Sequence, residues 1–408
     1  MLSFVLDEFR VYYTCVEENT GGLKLLHARK INQKGLTMLS ASPYPTWIEI
    51  NLSAIENNTR YVMNKTGVDV LAVVKTNAYG HGAVETARAV LRAGAKWLAV
   101  VRLSELAELR QAGITAPIMV FGGAIPAEVD QAIALGAVLP VYDRELAQVW
   151  SQRALALGRR LPVHLKMDTG MGRFGVFPEE ALEFARFIQS LEALELEGLM
   201  SHMAVTQQEG ALEGALQVKR FNQVSEALRQ AGIAPRWVHL ASSSAILQMP
   251  ESYFNLVRAG GVLYGLGDSS DIEGHMLPGL KRAFCWKAQF VSVKRFPAGW
   301  TVGYGATYTT RQDEVIGVLN VGHGDGYLRL PGGFVLVDGV RCPIVGKICM
   351  DQMMVSLPHM VPLGNEAVLV GEQGQAVIPP QELARRWGSA TTAVTNMNRR
   401  IARVFIRD

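Results

Sequence analysis

From about residue 70 to about residue 260 the chain repeats one pattern: a short apolar run, then an amphipathic helical stretch that closes at glycine or proline. No other feature restricts the fold as much. About eight such runs are read: LAVVK (71 to 75), WLAVV (97 to 101), PIMVF (117 to 121), AVLPVY (137 to 142), PVHLKMD (162 to 168), LEGLMSH (196 to 202), WVHLAS (237 to 242) and FNLVR (254 to 258). Near-continuous apolarity implies burial on both faces, as in a parallel sheet covered by its crossover helices. Alternating strands and helices give an open doubly wound sheet or a closed barrel, and the number of units predicts an α/β barrel of the TIM type with eight parallel strands. The intervening helices include VETARAVLRAG, SELAELRQAG with Ser104 as N-cap, and PAEVDQAIALG with Pro126 near its first helical position.

After about residue 285 the texture changes. Strand-like runs such as AQFVSVKRF, EVIGVLNVG, GFVLVDG and EAVLVG are separated by turns rich in glycine, proline and aspartate. A helix is expected at PPQELARRWG, and NRRIARVFIRD reads as a last passage from helix to strand. Residues 1–45 show no sustained period. The division expected is therefore an N-terminal extension of poor order (1–45), an α/β barrel (46–285) and a mainly β C-terminal domain (286–408), with a natural start nearer Met38 than Met1.

Composition removes several function classes. The net charge of +3 is not gathered into a basic run, so the footprint of a nucleic-acid binder is missing. No apolar stretch reaches the length of a membrane span, and Asp7, Glu8 and Arg10 interrupt the apolar core that a signal peptide would need. Cys15, Cys285, Cys342 and Cys349 form no metal-ligand spacing and read as reduced, buried thiols. These features predict a cytoplasmic protein without a metal site.

In a parallel barrel, chemistry sits where the strands end. The first run ends in Lys75, the fifth leads to Lys166, Asp168 and Arg173, and the sixth ends in His202. Ser242, Ser243 and Ser244 close the seventh, and Arg258 with Gly260 and Gly261 the eighth. A lysine closing an apolar strand either snorkels to the surface or sits desolvated with a lowered pKa, and the second makes the amine nucleophilic. Gly260 and Gly261 allow close backbone approach to an anion, while Ser243 and Tyr79 offer hydroxyl donors; together they suit a phosphate group. No Walker A sequence or strand-coupled G-x-G-x-x-G is present, so a nucleotide is not implied.

Five segments in order, AVVKTNAYGHG (72 to 82), HLKMDTGMGRFG (164 to 175), VRAGGVLYGL (257 to 266), GYGATY (303 to 308) and GKICMDQ (346 to 352), resemble the alanine racemase family, and the resemblance runs from about Trp47 to the end. It implies a fold-type-III pyridoxal 5'-phosphate enzyme that works as a homodimer with its active sites shared between subunits. Its substrate would be a small amino acid, interconverted between L- and D-alanine to supply D-alanine for peptidoglycan. Carried over residue by residue, the resemblance gives the cofactor linkage and one catalytic base to Lys75, and the second base to Tyr304 of the other subunit. A tyrosine, with an ordinary pKa of about 10, needs nearby positive charge to act as a base. By the same resemblance Arg173 would help there and meet the substrate carboxylate. Arg258 would face the cofactor's pyridine nitrogen, with His202 hydrogen-bonded to Arg258. Tyr79, Ser243, Gly260, Gly261 and Tyr264 would contact or support the phosphate, and Met350 and Asp351 would approach the substrate. Lys166 matches a lysine that is carbamylated in several relatives and braces Arg173 there.

The chain departs from the family pattern at the entrance. His323, in GHGDG, stands where a tyrosine is common, and Arg399 where another is usual. Ser242 replaces a frequent asparagine, and Gln207 an acidic residue. A more basic, less aromatic entrance leaves serine or a broader range of amino acids open as substrates. A barrel decarboxylase using the same cofactor, and a non-catalytic protein of pyridoxal-phosphate homeostasis, are the competing readings. Tyr304 and the CMDQ segment speak against both.

Overall fold

The computed structural model describes residues 44–205, 207–266, 276–330 and 332–407, and before them only the backbone of three antiparallel strands, Leu2–Leu6, Phe9–Glu17 and Leu23–Asn32. Met38 and the segment around it lie outside the described residues. The rest forms two compact units. One holds Ile50–Phe284 together with Pro379–Asn396 and Phe405–Asp408, and the other Cys285–Ile378 and Met397–Val404 with the stretch ending at Glu49.

The first unit is the barrel. Its strands are β1 (Asp69–Val73), β2 (Trp97–Val100), β3 (Ile118–Val120), β4 (Ala137–Val141), β5 (Leu161–Lys166), β6 (Leu194–Met200), β7 (Trp237–His239) and β8 (Leu256–Ala259). They form one eight-stranded sheet in which β7 to β1 follow one another in reverse order and β8 pairs with β1. Its neighbouring strands all pair in parallel. At the seam the Arg258 N–H donates to the Ala241 carbonyl (3.1 Å) and the Asn255 N–H to that of Val238 (3.4 Å), so β7 meets β8 and the sheet rolls up. Burial on both faces explains the unbroken apolar runs: β2, β3 and β4 are buried at every position.

Within the barrel, Leu71, Val73, Trp97, Ala99, Met119, Val138, Met200 and Leu256 pack into one apolar cluster. Beside this cluster the interior is polar, with His164, Lys166, His239 and Arg258 all buried and the Trp97 ring 5.7 Å from that of His164. Room for this polar wall comes from Gly198 on β6, where a Cβ would stand 2.3 Å from Nδ1 of His164.

Two local expectations are corrected. The helix after β2 is Leu103–Gln111, so Ser104 lies inside its first turn and is not the N-cap. The carboxylate of Glu105 satisfies the amides there, accepting from Val101 N–H (2.9 Å) and Arg102 N–H (3.0 Å). Lys75 does not end β1 either; it opens a short turn, Lys75–Tyr79, two residues beyond the strand.

The second unit is mainly β. A nine-stranded sheet contains Phe284–Phe296, Glu314–Leu319, Phe334–Val337, Val340–Val345, Met353–Leu357 and Glu366–Gln373, and also takes up Thr46–Asn51 and Ala402–Ile406. Helices Pro380–Trp387 and Ala390–Thr395 belong to the barrel unit, and the second packs against the Lys75–Tyr79 turn. Cys285, Cys342 and Cys349 are unbridged; Cys342 is buried, whereas Cys285 and Cys349 are half-buried, so full burial of the thiols holds only in part. Among the described residues no helix is long and apolar enough to cross a membrane.

Candidate active site

A cavity of about 310 Å³ opens at the ends of the barrel strands, bordered by Lys75, Tyr79, Arg173, His202, Ser243 and Arg258. Its size suits a small ligand. Lys166, Ser242 and Gly260 also line it, whereas Gly261 and Tyr264 do not. Gly261 opens a 3₁₀ turn, Gly261–Tyr264, and the buried Tyr264 hydroxyl donates to the Val73 carbonyl (2.8 Å). Tyr264 thus braces the exit of β1 and does not present its hydroxyl to a ligand.

Lys75 precedes four residues in the left-handed region, Thr76, Asn77, Ala78 and Tyr79, all with φ between 52° and 54°. Such a conformation costs on the order of 1 kcal/mol per non-glycine residue and persists only where partners impose it. The partners are present. Thr76 N–H donates to Glu105 Oε1, Ala78 N–H to the Val74 carbonyl (2.8 Å), and Ala83 N–H to Asn77 Oδ1 (2.9 Å). The turn leaves the amine at the cavity with Nζ 5.9 Å from the centre of the Tyr79 ring. Burial and then the Arg173 charge lower the pKa of Lys75, and Glu105 opposes them. The amine is therefore more nucleophilic near neutral pH than a surface lysine.

Arg258 is 3% exposed, and among the described residues no carboxylate is its hydrogen-bond partner. It donates to the carbonyls of Ser201 (2.7 Å), Leu240 (2.8 Å) and His239 (3.1 Å), and to Nδ1 of His239 (3.0 Å) and His202 (3.2 Å). A guanidinium can only donate, so both Nδ1 atoms accept. His239 then carries its proton on Nε2 and donates to His164 Nδ1 (2.8 Å), leaving the His164 proton on Nε2, which faces Glu197 at 3.8 Å. Burial and Arg173 lower Arg258 to about 9, which still keeps it charged at neutral pH. Burial, Arg258, Lys166, Arg173 and Lys75 push His202 down to about 2, so its ring stays neutral.

Lys166 sits beside this group, its Nζ donating to the Met167 carbonyl (3.1 Å). Burial and the Arg258 charge bring it down to about 7, against the opposing pull of Asp168. Asp168 shapes the loop that carries Arg173: it accepts from Gly170 (2.9 Å), Met171 (2.7 Å) and Arg173 (3.0 Å) N–H. Ser243 Oγ accepts from Gly260 N–H (2.9 Å) and Val262 N–H (3.3 Å), and a Cβ on Gly260 would stand 2.7 Å from the Tyr79 hydroxyl. Two hydroxyls and a glycine backbone therefore converge on one corner.

Tyr304, Met350 and Asp351 belong to the β unit. Tyr304 opens a 3₁₀ turn and is 65% exposed, and Met350 is 61% exposed. Arg400 bridges Asp351 and Asp325 at 2.7 Å each, tying the CMDQ loop to the turn that holds His323. Arg399 is exposed, and the side chain of Gln207 lies outside the described residues.

The matching family models are those of the alanine racemase N-terminal domain, over residues 50–268, and of its C-terminal domain, over residues 283–405. The chain belongs to the alanine racemase family. Alanine racemases of Carboxydothermus hydrogenoformans and Geobacillus stearothermophilus are 40% and 41% identical to it, over 89% of this chain and 100% and 94% of theirs. Among solved structures, an alanine racemase of Clostridium difficile superposes with a TM-score of 0.84 at 32% identity, covering 90% of this chain and 97% of that one. An alanine racemase from Bacillus anthracis with bound L-Ala-P gives 0.82 at 36%, with the same coverage. Membership makes the chain an isomerase built as a parallel barrel followed by a β domain. The alanine racemase motifs in the sequence leave out Glu105, His239 and Glu197, and they contain His164 without giving it a role. The two histidines read as interior strand positions, and only two-residue spacing from Lys166, which turns His164 to the same side of β5, could have signalled a polar wall.

Proposed function

We propose that the protein is a pyridoxal-phosphate-dependent alanine racemase of the cytoplasm that supplies D-alanine for peptidoglycan. The observation that supports this most is the desolvated Lys75 amine on the rim of a cavity that also holds a buried guanidinium received by neutral acceptors and a corner of hydroxyls. The residues fit the cofactor. Tyr79, Ser243 and the Gly260 backbone would hold the phosphate, Arg258 would face the pyridine nitrogen, and Lys75 would carry the covalent link. Gly261 and Tyr264 would act behind them by shaping the turn. Pyridoxal phosphate, when bound, supplies a sink for the electron pair left on the substrate α-carbon.

The chain's own residues do the rest. The Lys75 amine takes or returns the α-proton on one face, and Tyr304 of a second copy does so on the other. Arg173 binds the substrate carboxylate and lends positive charge near the tyrosine oxygen. Arg258 stays protonated at neutral pH and the His202 ring stays neutral, so the pyridine nitrogen meets a donor that keeps its proton. Restraining charge delocalisation in this way favours return of the proton over transamination. Met350 and Asp351 would contact the substrate from the second copy, and Lys166, brought down to about 7 and so partly neutral at neutral pH, is suited to carbamylation beside Arg173.

Borohydride reduction of the cofactor-loaded protein should attach the pyridoxyl group to Lys75, located by peptide mass spectrometry. Loss of optical activity with L-alanine, L-serine and L-lysine then ranks the substrates. A colourless protein with no label at Lys75 would overturn the reading, and carbon dioxide release would replace it with a decarboxylase.

A further inference from the structure

We propose that Glu105 is a positioning residue for Lys75, tying the lysine's turn to the neighbouring strand exit and fixing where the amine stands. The inference rests on the reading of Lys75 as the cofactor lysine. An acidic residue in the first turn of a helix ordinarily caps its own helix. That role accounts for one oxygen of Glu105: Oε2 accepts from Val101 and Arg102 N–H at 2.9 and 3.0 Å. It does not account for the other. Oε1 leaves the helix and accepts from Thr76 N–H, the first amide after Lys75.

One carboxylate thus closes three amides from two different βα loops. The amide it reaches begins a run of four residues in the left-handed region, where the backbone stays only if held. Asn77 Oδ1 holds the far end through Ala83 N–H, and the His81 ring nitrogen lies 3.0 Å from the carbonyls of Ala78 and Tyr79. At the lysine end the side chain that reaches in is Glu105.

Its charge points the same way. Lys75 is faced by Arg173 from the loop after β5, His202 from the loop after β6, the Tyr79 ring on its own turn and Glu105 on the helix after β2. Arg173 favours the neutral amine and Glu105 the protonated one, so Glu105 lets a desolvated lysine still receive a proton.

Two variants separate reach from charge. Glu105→Asp keeps the charge one methylene short of Thr76, and Glu105→Gln removes the charge while leaving one acceptor. The readouts are the dissociation constant of pyridoxal phosphate from absorbance titration and the pH midpoint of its capture by the lysine. Thermal melting checks that each variant folds. Glu105→Asp should weaken cofactor binding about tenfold, the loss of one charge-assisted hydrogen bond, with the midpoint unmoved. Glu105→Gln should move the midpoint to lower pH, because the amine loses its counter-charge. Lower melting temperatures with wild-type cofactor affinity and midpoint in both variants would reduce Glu105 to a helix cap and overturn the proposal. Absence of borohydride labelling at Lys75 in the unaltered protein would instead remove the reading beneath it. Were Glu105→Gln unable to fold, Glu105→Asp with wild-type cofactor affinity would suffice to overturn it.

Discussion

Arg258 takes a positive charge into the barrel, where carbonyls and two imidazoles receive it, and the protonation of its neighbours follows. His239 is the hinge of that arrangement because it accepts from Arg258 on one nitrogen and donates to His164 on the other. Replacing it with phenylalanine keeps the ring but leaves an Arg258 N–H and His164 Nδ1 without this partner. His239→Phe should therefore lose about 1–3 kcal/mol of stability in urea unfolding, with weaker retention of pyridoxal phosphate. Lys166 carries a pH signature of its own. Its folded pKa of about 7 lies below the ordinary lysine value of 10.5, so between these limits the unfolded chain binds the proton that the folded one refuses. Stability should rise with pH across that window and level off above it. In carbonate-free buffer the melting temperature of the wild type should climb from pH 7 to pH 9 more than that of Lys166→Met. Lys75, Arg258 and His202 were legible in sequence because they close or follow apolar runs. Glu105 was not, since an acid in a first helical turn is ordinary and its second oxygen acts on a loop nearly thirty residues earlier.

At the scale of elements, the eight runs read from sequence are the eight barrel strands, most of them ending one to three residues earlier than read and three of them beginning one or two residues earlier. Periodicity marks a strand well; it does not mark the Lys75–Tyr79 turn. Four consecutive non-glycine residues with positive φ are held by groups distant in sequence, so nothing in KTNAY itself announces them. The fit of β6 against β5 is tighter than either strand shows alone. A methyl group at position 198 would stand 2.3 Å from His164 Nδ1, and 2.4 Å from the ring carbon beside it. Gly198→Ala must displace that imidazole or spread the two strands, an overpacking cost of about 1–3 kcal/mol. A drop in melting temperature accompanied by an altered cofactor absorption band would show that the strain travels along the histidines to Arg258. A drop without the spectral change would confine it to the strands.

The whole molecule is the scale at which Tyr304 acquires meaning, because the reading gives it to a neighbour's site. Mixing inactive Lys75→Ala with inactive Tyr304→Phe tests this directly. If each site draws on two copies, a mixed dimer has one intact site and one doubly broken site. Random re-association should then restore about a quarter of wild-type racemase activity. Sites contained within one chain would restore none. The sequence reading put the passage from barrel to β domain near residue 285 and everything after it in the β domain, whereas by contacts later stretches group with the barrel unit. Residues 379–396 return to the barrel unit after the β strands, a return that no local composition signals because helices of this length suit either unit. A polypeptide stopped at residue 378 would keep all eight barrel strands and every polar group lining the cavity. It would still be missing the helix that buttresses the turn behind Lys75, so truncation from the far end of the gene should empty the cofactor pocket without touching it.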